Sequence, residues 1–304
     1  VTWTAAELGV LARAVAQAPS VHNSQPWALV PGDGVIELRE RTEVALPRHD
    51  PEGRDRLMSC GAALVNLRLA LSVLGRRPQV TLLPRPDVVA EVRVPAPGEP
   101  SPSELGRYPA IYRRSSYRAP FALHPVPAPV LRELADAAVA PGAEARLVEP
   151  RTESAALAEL LGRAGLVLRD DRAYQRELTA WTAQFRQAPA AATTLPWSGL
   201  VRADTRLPDA VTLAERIAAE SMIVVLTDGD TRRDHVLAGT VLQETWLTAI
   251  THGLAGSVLT QPLHLHEVRA GLIERLALPG WPQALLRFGY PVTAAPPGAR
   301  SARR

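Results

Sequence analysis

The stretch Ala18–Trp27, APSVHNSQPW, decides the reading of this chain. It holds Asn23, one of only two asparagines in the sequence, and Gln25, two amides that can donate to and accept from the same ligand edge. Ser20 and Ser24 add hydroxyls, and Pro19 and Pro26 stiffen the flanks. The segment follows a helical pattern without Gly or Ser padding. It is therefore expected as an ordered loop on a rigid scaffold, where binding residues concentrate. The plainer alternative is a helix C-terminus closed by an Asx turn.

Working outward, Thr4–Ala18 reads as a helix, with Thr4 and Glu7 spaced as a capping box and Leu8, Leu11 and Val15 on one face. Ala28–Val30 and Val35–Arg39 alternate around PGDG, a hairpin signal. Gly53–Leu74 has helical spacing and stops at Gly75. Strands are expected at Val80–Leu83 and Val88–Val94, and Pro95–Glu104 reads as a linker. The expected organisation is thus an N-terminal half over 1–94, a Pro-rich linker over 95–110 and a C-terminal half over 111–304.

The second half is expected to hold helices over Ala128–Val139 and from Thr152 through about Gln187, with a strand over Ala145–Glu149 between them. Ala188–Ala210 has no periodicity, and a loop of that length containing Trp197 suggests a lid. Then come the strand Ser221–Thr227, an amphipathic helix through Leu237 and Ile250, a turn and strand in GLAGSVLTQP, the helix Leu265–Leu276 and the strand Gln283–Tyr290. Helices and strands mix without sustained βαβ alternation, which is α+β.

Composition narrows the chemistry. A chain of 304 residues with 46% hydrophobic and 21% charged residues is globular. Every basic side chain counted among its 34 Lys and Arg is Arg, which removes P-loop, Schiff-base and general-base lysines. A net charge of +3 and 5% aromatic residues argue against a nucleic-acid partner. The longest apolar runs look too short to cross a bilayer, and the lone Cys60 agrees with a reducing compartment, so a soluble cytoplasmic protein is expected. Cys60 lies in an apolar helical run and reads as a buried structural thiol.

Three further features could carry chemistry. Arg113, Arg114 and Arg118 bracket Ser115, Ser116 and Tyr117, a set that suits a phosphate; a solvated basic turn is the alternative. Gly253–Ser257 has glycines flanking Leu254 and Ala255, so its backbone can approach a ligand closely, although a Gly after a helix is most often a cap. His264 and His266 would share a side if extended, but no third ligand has helpful spacing and no metal is expected. His22, His49 and Asp50 have no assignable partners. No GxSxG, CxxC, GxGxxG or HExxH pattern occurs. An amide loop for a polar ring edge, an Arg cluster for a phosphate and a glycine turn together describe a site for flavin mononucleotide (FMN), a cofactor that brings its own redox chemistry.

APSVHNSQPW resembles the APSxxNxQPW segment of the nitroreductase superfamily, and RRSSYRAPF resembles its RxSxR element, with Arg114, Ser116 and Arg118 in place. In typical members RxSxR comes first; here the order is reversed. With SCGAALVNLRLAL, GLAGSVLTQP and QALLRFGYP, the chain is similar to the Acg-like branch, in which one chain holds two nitroreductase-like halves. The resemblance implies a nitroreductase-like pseudo-dimer of two α/β halves with helices packed on antiparallel-rich sheets, monomeric or a homodimer. It implies that Arg114, Ser116 and Arg118 contact the phosphate, ribityl chain and pyrimidine edge of FMN. Pro19, Ser20, Val21, Asn23 and Gln25 belong to the ring-side loop, and Leu254, Ala255, Gly256 and Ser257 lie near the flavin N5 side. Arg303, in the terminal ARSARR, closes on the phosphate.

The activity implied is hydride transfer from NAD(P)H through flavin N5 to a small electron-poor acceptor, a nitroaromatic or a quinone. No residue of the chain is then a catalytic acid or base. Two other readings stay open: a non-catalytic FMN-binding or storage protein of the Acg type, and a dehydrogenase of a biosynthetic pathway.

Overall fold

The computed structural model describes residues 2–138, 140–183 and 201–292. Helix α1 (Ala5–Ala16) starts at the expected capping box, with Thr4 accepting from Glu7 N and the Glu7 carboxylate accepting from Thr4 N. It buries Leu11, Ala14 and Val15. A short 3-10 turn, Val21–Asn23, leads to β1 (Trp27–Gly32) and β2 (Val35–Glu40), the expected hairpin, with Leu29 opposite Leu38.

Helix α2 (Arg54–Val73) is buried almost all round, and its thiol Cys60 Sγ lies 3.3 Å from Pro26 O. By length and apolarity α2 could cross a membrane, which corrects the expectation that no stretch is long enough. Its apolar window is 83% buried inside the protein, as in a core helix. Strands β3 (Arg76–Arg85) and β4 (Val88–Pro97) then complete a sheet of order β1-β2-β4-β3. Both run past their expected ends. β3 is a largely exposed edge strand rich in Arg and Pro, so hydrophobic alternation does not mark it.

The Pro-rich stretch 95–110 is not a linker. It carries the end of β4 and most of α3 (Pro102–Arg113), which opens on a second capping box between Ser101 and Glu104. Pro102 fits the first helical turn, where a missing N–H costs nothing, so a composition that suggests a spacer also suits a helix start.

The second half repeats the sheet pattern. After α4 (Ala128–Asp136) come β5 (Ala143–Leu147), α5 (Pro150–Asp170) and α6 (Arg172–Thr182). Then follow α7 (Ala210–Ala218), β6 (Ser221–Thr227), α8 (Arg232–Thr251), β7 (Ala255–Leu259), α9 (His266–Arg275) and β8 (Trp281–Gly289). The strand order β5-β6-β8-β7 matches that of the first sheet position for position. Helix α7 escapes the sequence reading because its signals, the Asp209 cap and buried Leu213 and Ile217, sit beside a Pro-rich loop. Of the expected lid, 188–200 lie outside the described residues. Val201 is buried against Leu168, Tyr174 and Leu178, and its carbonyl accepts from Gln175 Nε2 at 3.0 Å.

Helices α2 and α8 cross at the centre of the main core, which draws side chains from both sheets. The cavity described next opens along this crossing, between α2, α8, the 19–23 turn and β7.

Candidate functional site

A cavity of about 340 Å³ is lined by Pro19–Asn23 after α1, by Asp55, Met58, Ser59 and Ala62 of α2 and by Ser115, Ser116 and Arg118 after α3. Leu242 of α8, Val258 of β7, and Thr260 and Gln261 complete it. The turn that enters it is strained: His22, Asn23 and Gln25 have φ of 50°, 53° and 49°. Asn tolerates this region, whereas His and Gln do so at a cost of about 1 kcal/mol each. Local hydrogen bonds hold the turn. Gln25 N donates to Ser20 Oγ at 3.1 Å, and Gln25 Nε2 donates to Ala16 O, an end carbonyl of α1, at 3.2 Å.

Arg118 and Ser116 reach the cavity from a segment clamped onto the second sheet. Ser116 bridges Gly256, and Tyr117 N donates to Gly256 O at 2.8 Å. Position 256 needs a glycine, because a Cβ there would run into the Phe288 ring and Arg287 O of the neighbouring strand β8. Beneath the segment lies Arg287, fully buried and paired in a fork with Glu220 at 2.5 and 2.6 Å. Its remaining N–H groups lie 3.4 Å from Tyr117 O and 3.5 Å from Ala119 O, and its guanidinium sits over Phe121 at 4.4 Å. The carbonyls on either side of Arg118 are thus held from below.

A polar corner closes another side of the cavity. His22 Nε2 lies 3.3 Å from His49 Nδ1, and His49 Nε2 lies 3.1 Å from the Gln261 amide. Burial, then the Arg118 charge, pull His22 down to about 4. Burial and the neighbouring His22 pull His49 down to about 3. Both imidazoles are neutral at pH 7. Trp181 and Tyr174 of α6 pack over His22 and His49, and Glu177 accepts from His49 N at 2.7 Å.

Next to the histidines, Asp55 Oδ2 accepts from Thr260 Oγ1 at 2.5 Å and meets His264 Nε2 at 3.2 Å, while Arg54 Nε lies 3.6 Å from Oδ1. Burial alone would raise the pKa of this carboxyl, but His264, Arg54 and Thr260 hold it below the usual carboxylate range. Asp50, which accepts from Asp55 N and Arg56 N at the start of α2, is pushed up to about 6 by burial and by Asp55.

The structure gathers part of the expected site. Pro19, Ser20, Val21, Asn23, Ser116 and Arg118 line the cavity. Gln25 does not, its amide being tied to α1. Arg114 also turns away: it is buried, donates to Gln17 O at 3.1 Å and lies 4.6 Å from the Trp246 ring. Arg114 ends α3, and the chain direction changes between it and Arg118, so the two arginines face different surroundings. Leu254, Ala255, Gly256 and Ser257 are buried behind the lining, and β7 reaches the cavity one step later, at Val258. Arg303 lies outside the described residues.

His264 and His266 do not form a pair. A 3-10 turn, Gln261–His264, replaces the extended segment; His264 turns to Asp55 and His266 is exposed at the start of α9. Asp50, Asp55 and His264 each bring a ligand atom within 4.8 Å of the others, a spacing that could hold an ion, with the Arg54 cation already beside them. His22, Asp55, Met58, Ser59, Ala62, Ser115, Leu242, Val258, Thr260 and Gln261 line the cavity without having been expected as site residues. His22, Ser59, Ala62, Ser115, Val258, Thr260 and Gln261 lie inside segments already singled out, whereas Asp55, Met58 and Leu242 carried no signal beyond helical spacing.

No family model matches the chain. A Mycobacterium tuberculosis protein named as an NAD(P)H nitroreductase is 30% identical over 293 residues, covering 92% of this chain and 84% of the relative. The acg protein of the same organism, also named as an NAD(P)H nitroreductase, is 30% identical over 310 residues, covering 94% and 90%. Among solved structures, a nitroreductase with bound FMN from Bacteroides fragilis has a TM-score of 0.43 and 15% identity, over 65% of this chain and 94% of that one. The FMN-dependent nitroreductase NfnB of Mycobacterium smegmatis, in complex with NADPH, has a TM-score of 0.41 and 16% identity, over 62% and 88%. The structural likeness is loose, so the assignment rests on the sequence relatives, matched along most of their length. On that ground the chain belongs to the nitroreductase family, in its acg-like branch.

Proposed function

We propose that the cavity binds FMN and that the protein passes a hydride from NAD(P)H through it to a small electron-poor acceptor of nitroaromatic or quinone type. The observation that carries this reading is the meeting of residues 19–23 with Ser115, Ser116 and Arg118 around one cavity, although the two segments are far apart in sequence. The residues present fit the cofactor. Arg118 with the hydroxyls of Ser20, Ser115 and Ser116 suits a phosphate and a polyol chain, and the Asn23 side chain suits a ring edge. Met58, Ala62, Leu242 and Val258 offer an apolar wall to a ring face, and the volume falls in the usual range for small-molecule sites.

Once bound, flavin supplies the redox chemistry, while the chain binds, orients and shields. In this reading Arg287 and Glu220 hold Arg118 in place, and Gln25 and Arg114 hold the loop and α3 against the end of α1. The relatives named as NAD(P)H nitroreductases support the choice of donor. The repeated strand order supports taking the chain as a single-chain pseudo-dimer with its halves meeting near 95–110; the lone, buried Cys60 thiol suits a reducing compartment such as the cytoplasm.

The test is titration of the protein with FMN and, separately, with riboflavin, following flavin fluorescence. FMN is expected to bind far more tightly, with the difference removed in Arg118→Ala. Equal affinity of the two flavins for the wild-type protein would overturn the phosphate assignment.

A further inference from the structure

We propose that the Asp55 side of the cavity is an electronegative subsite for a planar ring that carries or acquires positive charge, and that it turns anionic rings away. Asp55 lines the cavity, yet its side chain is only 1% exposed. Its Oδ2 is occupied by Thr260 and His264, and its Oδ1 accepts no hydrogen bond among the described residues, with Arg54 Nε 3.6 Å away. The Arg54 cation and the His264 ring beside it do not line the cavity; Arg54 donates to Leu263 O at 2.8 Å and Thr260 O at 3.2 Å. The negative end of this buried arrangement therefore faces the ligand space.

The other lining groups suit the same occupant. Neutral His22 adds no cation, and Met58, Leu242 and Val258 give a ring an apolar face to rest on. Among the described lining residues Arg118 is the cation, and it belongs to the part of the cavity assigned above to a phosphate.

The fitting ring in the reaction proposed above is the nicotinamide of NAD(P)H, and this step rests on that reading. A dihydronicotinamide gives up a hydride, a proton with two electrons, to the bound flavin. The ring is left as a pyridinium with one positive charge. A carboxylate fixed and desolvated beforehand lowers the energy of that charge as it develops, with no reorganisation at the moment of transfer. Asp55 would thus favour hydride departure without itself taking a proton.

The experiment uses three probes of nearly equal size: 1-methylnicotinamide as cation, nicotinamide as neutral ring and nicotinate as anion. Each is titrated into the protein as purified, with binding read by ligand NMR and by shifts of the His22 ring resonances. The visible spectrum separately reports whether flavin is bound. The expected order is cation, neutral, anion, with about tenfold between the extremes, and Asp55→Asn brings all three within about twofold. Nicotinate binding as well as the cation, no binding of any probe, or an unchanged preference in a folded Asp55→Asn protein would overturn the subsite. If that variant does not fold, the wild-type order alone decides. Should the order hold in a protein that takes up no flavin, the subsite stands and the FMN reading falls.

Discussion

Gly61 and Gly239 face each other where α2 and α8 cross, each against the backbone of the other helix. A Cβ on Gly61 would collide with Val236 O, and one on Gly239 would collide with Met58 O. Val236 stands to Gly239 as Met58 stands to Gly61, so the contact is reciprocal, like an isologous dimer interface built within one chain. The crossing also sets the cavity, since Met58 and Ala62 on one helix face Leu242 on the other side of the ligand space.

Gly61→Ala or Gly239→Ala should therefore cost about 2–4 kcal/mol, because neither backbone can yield without separating the helices. Urea unfolding measures this. A loss below about 0.5 kcal/mol would mean that the crossing relaxes freely.

Arg114 and Arg118 are predicted to separate cleanly, although both match one sequence motif. Arg118→Ala should weaken FMN binding by about 2–3 kcal/mol with little change in unfolding midpoint, as for a lost charge-assisted contact. Arg114→Ala should lower stability, because it frees Gln17 O and uncovers Trp246. Paired flavin titrations and urea melts on both variants decide; the reverse pattern would restore Arg114 to the phosphate.

For Arg287→Met we expect a loss of about 3–5 kcal/mol, because Glu220 is left as a buried, unpaired carboxylate. Adding Glu220→Gln should recover part of the stability. It should not recover FMN affinity, since the clamp under Arg118 stays missing. Full recovery of both would reduce Arg287 to a structural partner of Glu220.

Stability should fall as pH drops from about 6.5 toward 4. His22 and His49 have folded pKa values near 4 and 3 against an ordinary 6.5, so the unfolded chain takes up protons in this window that the fold refuses. Asp50 runs the other way: raised to about 6, it contributes stability that is lost as pH rises through that value, which offsets one of the two histidines. Urea unfolding at pH 7 and 4.5 tests the sign, and a His22→Gln/His49→Gln protein should show a flatter profile. A wild-type protein more stable at 4.5 would contradict the assignment.

Local signals made much of this architecture legible. The Thr4 and Glu7 cap, the PGDG hairpin, the strand Ser221–Thr227 and the buried character of the Cys60 helix all follow from short-range rules, and the structure keeps them. What failed was compositional. Prolines 95–102 read as a spacer, yet they end the inner strand β4 and open a capped helix. The loop Pro19–Asn23 could be found because its amides and prolines cluster in sequence. Asp55 could not, and although Thr260 and Gln261 sit in the quoted GLAGSVLTQP segment, their meeting with Asp55 arises only when α2 packs against the end of β7. Arg114 and Gln25 show the converse: their chemistry suits a ligand, but the nearest unsatisfied carbonyls belong to α1.

The most direct measurement is the visible absorption spectrum of the FMN-loaded protein before and after anaerobic addition of NADPH. A bound-flavin spectrum that bleaches on addition, and returns when a quinone or nitroaromatic acceptor follows, is the predicted result. A flavin spectrum that persists under NADPH and NADH alike would contradict hydride transfer and leave a protein that holds flavin without turning it over.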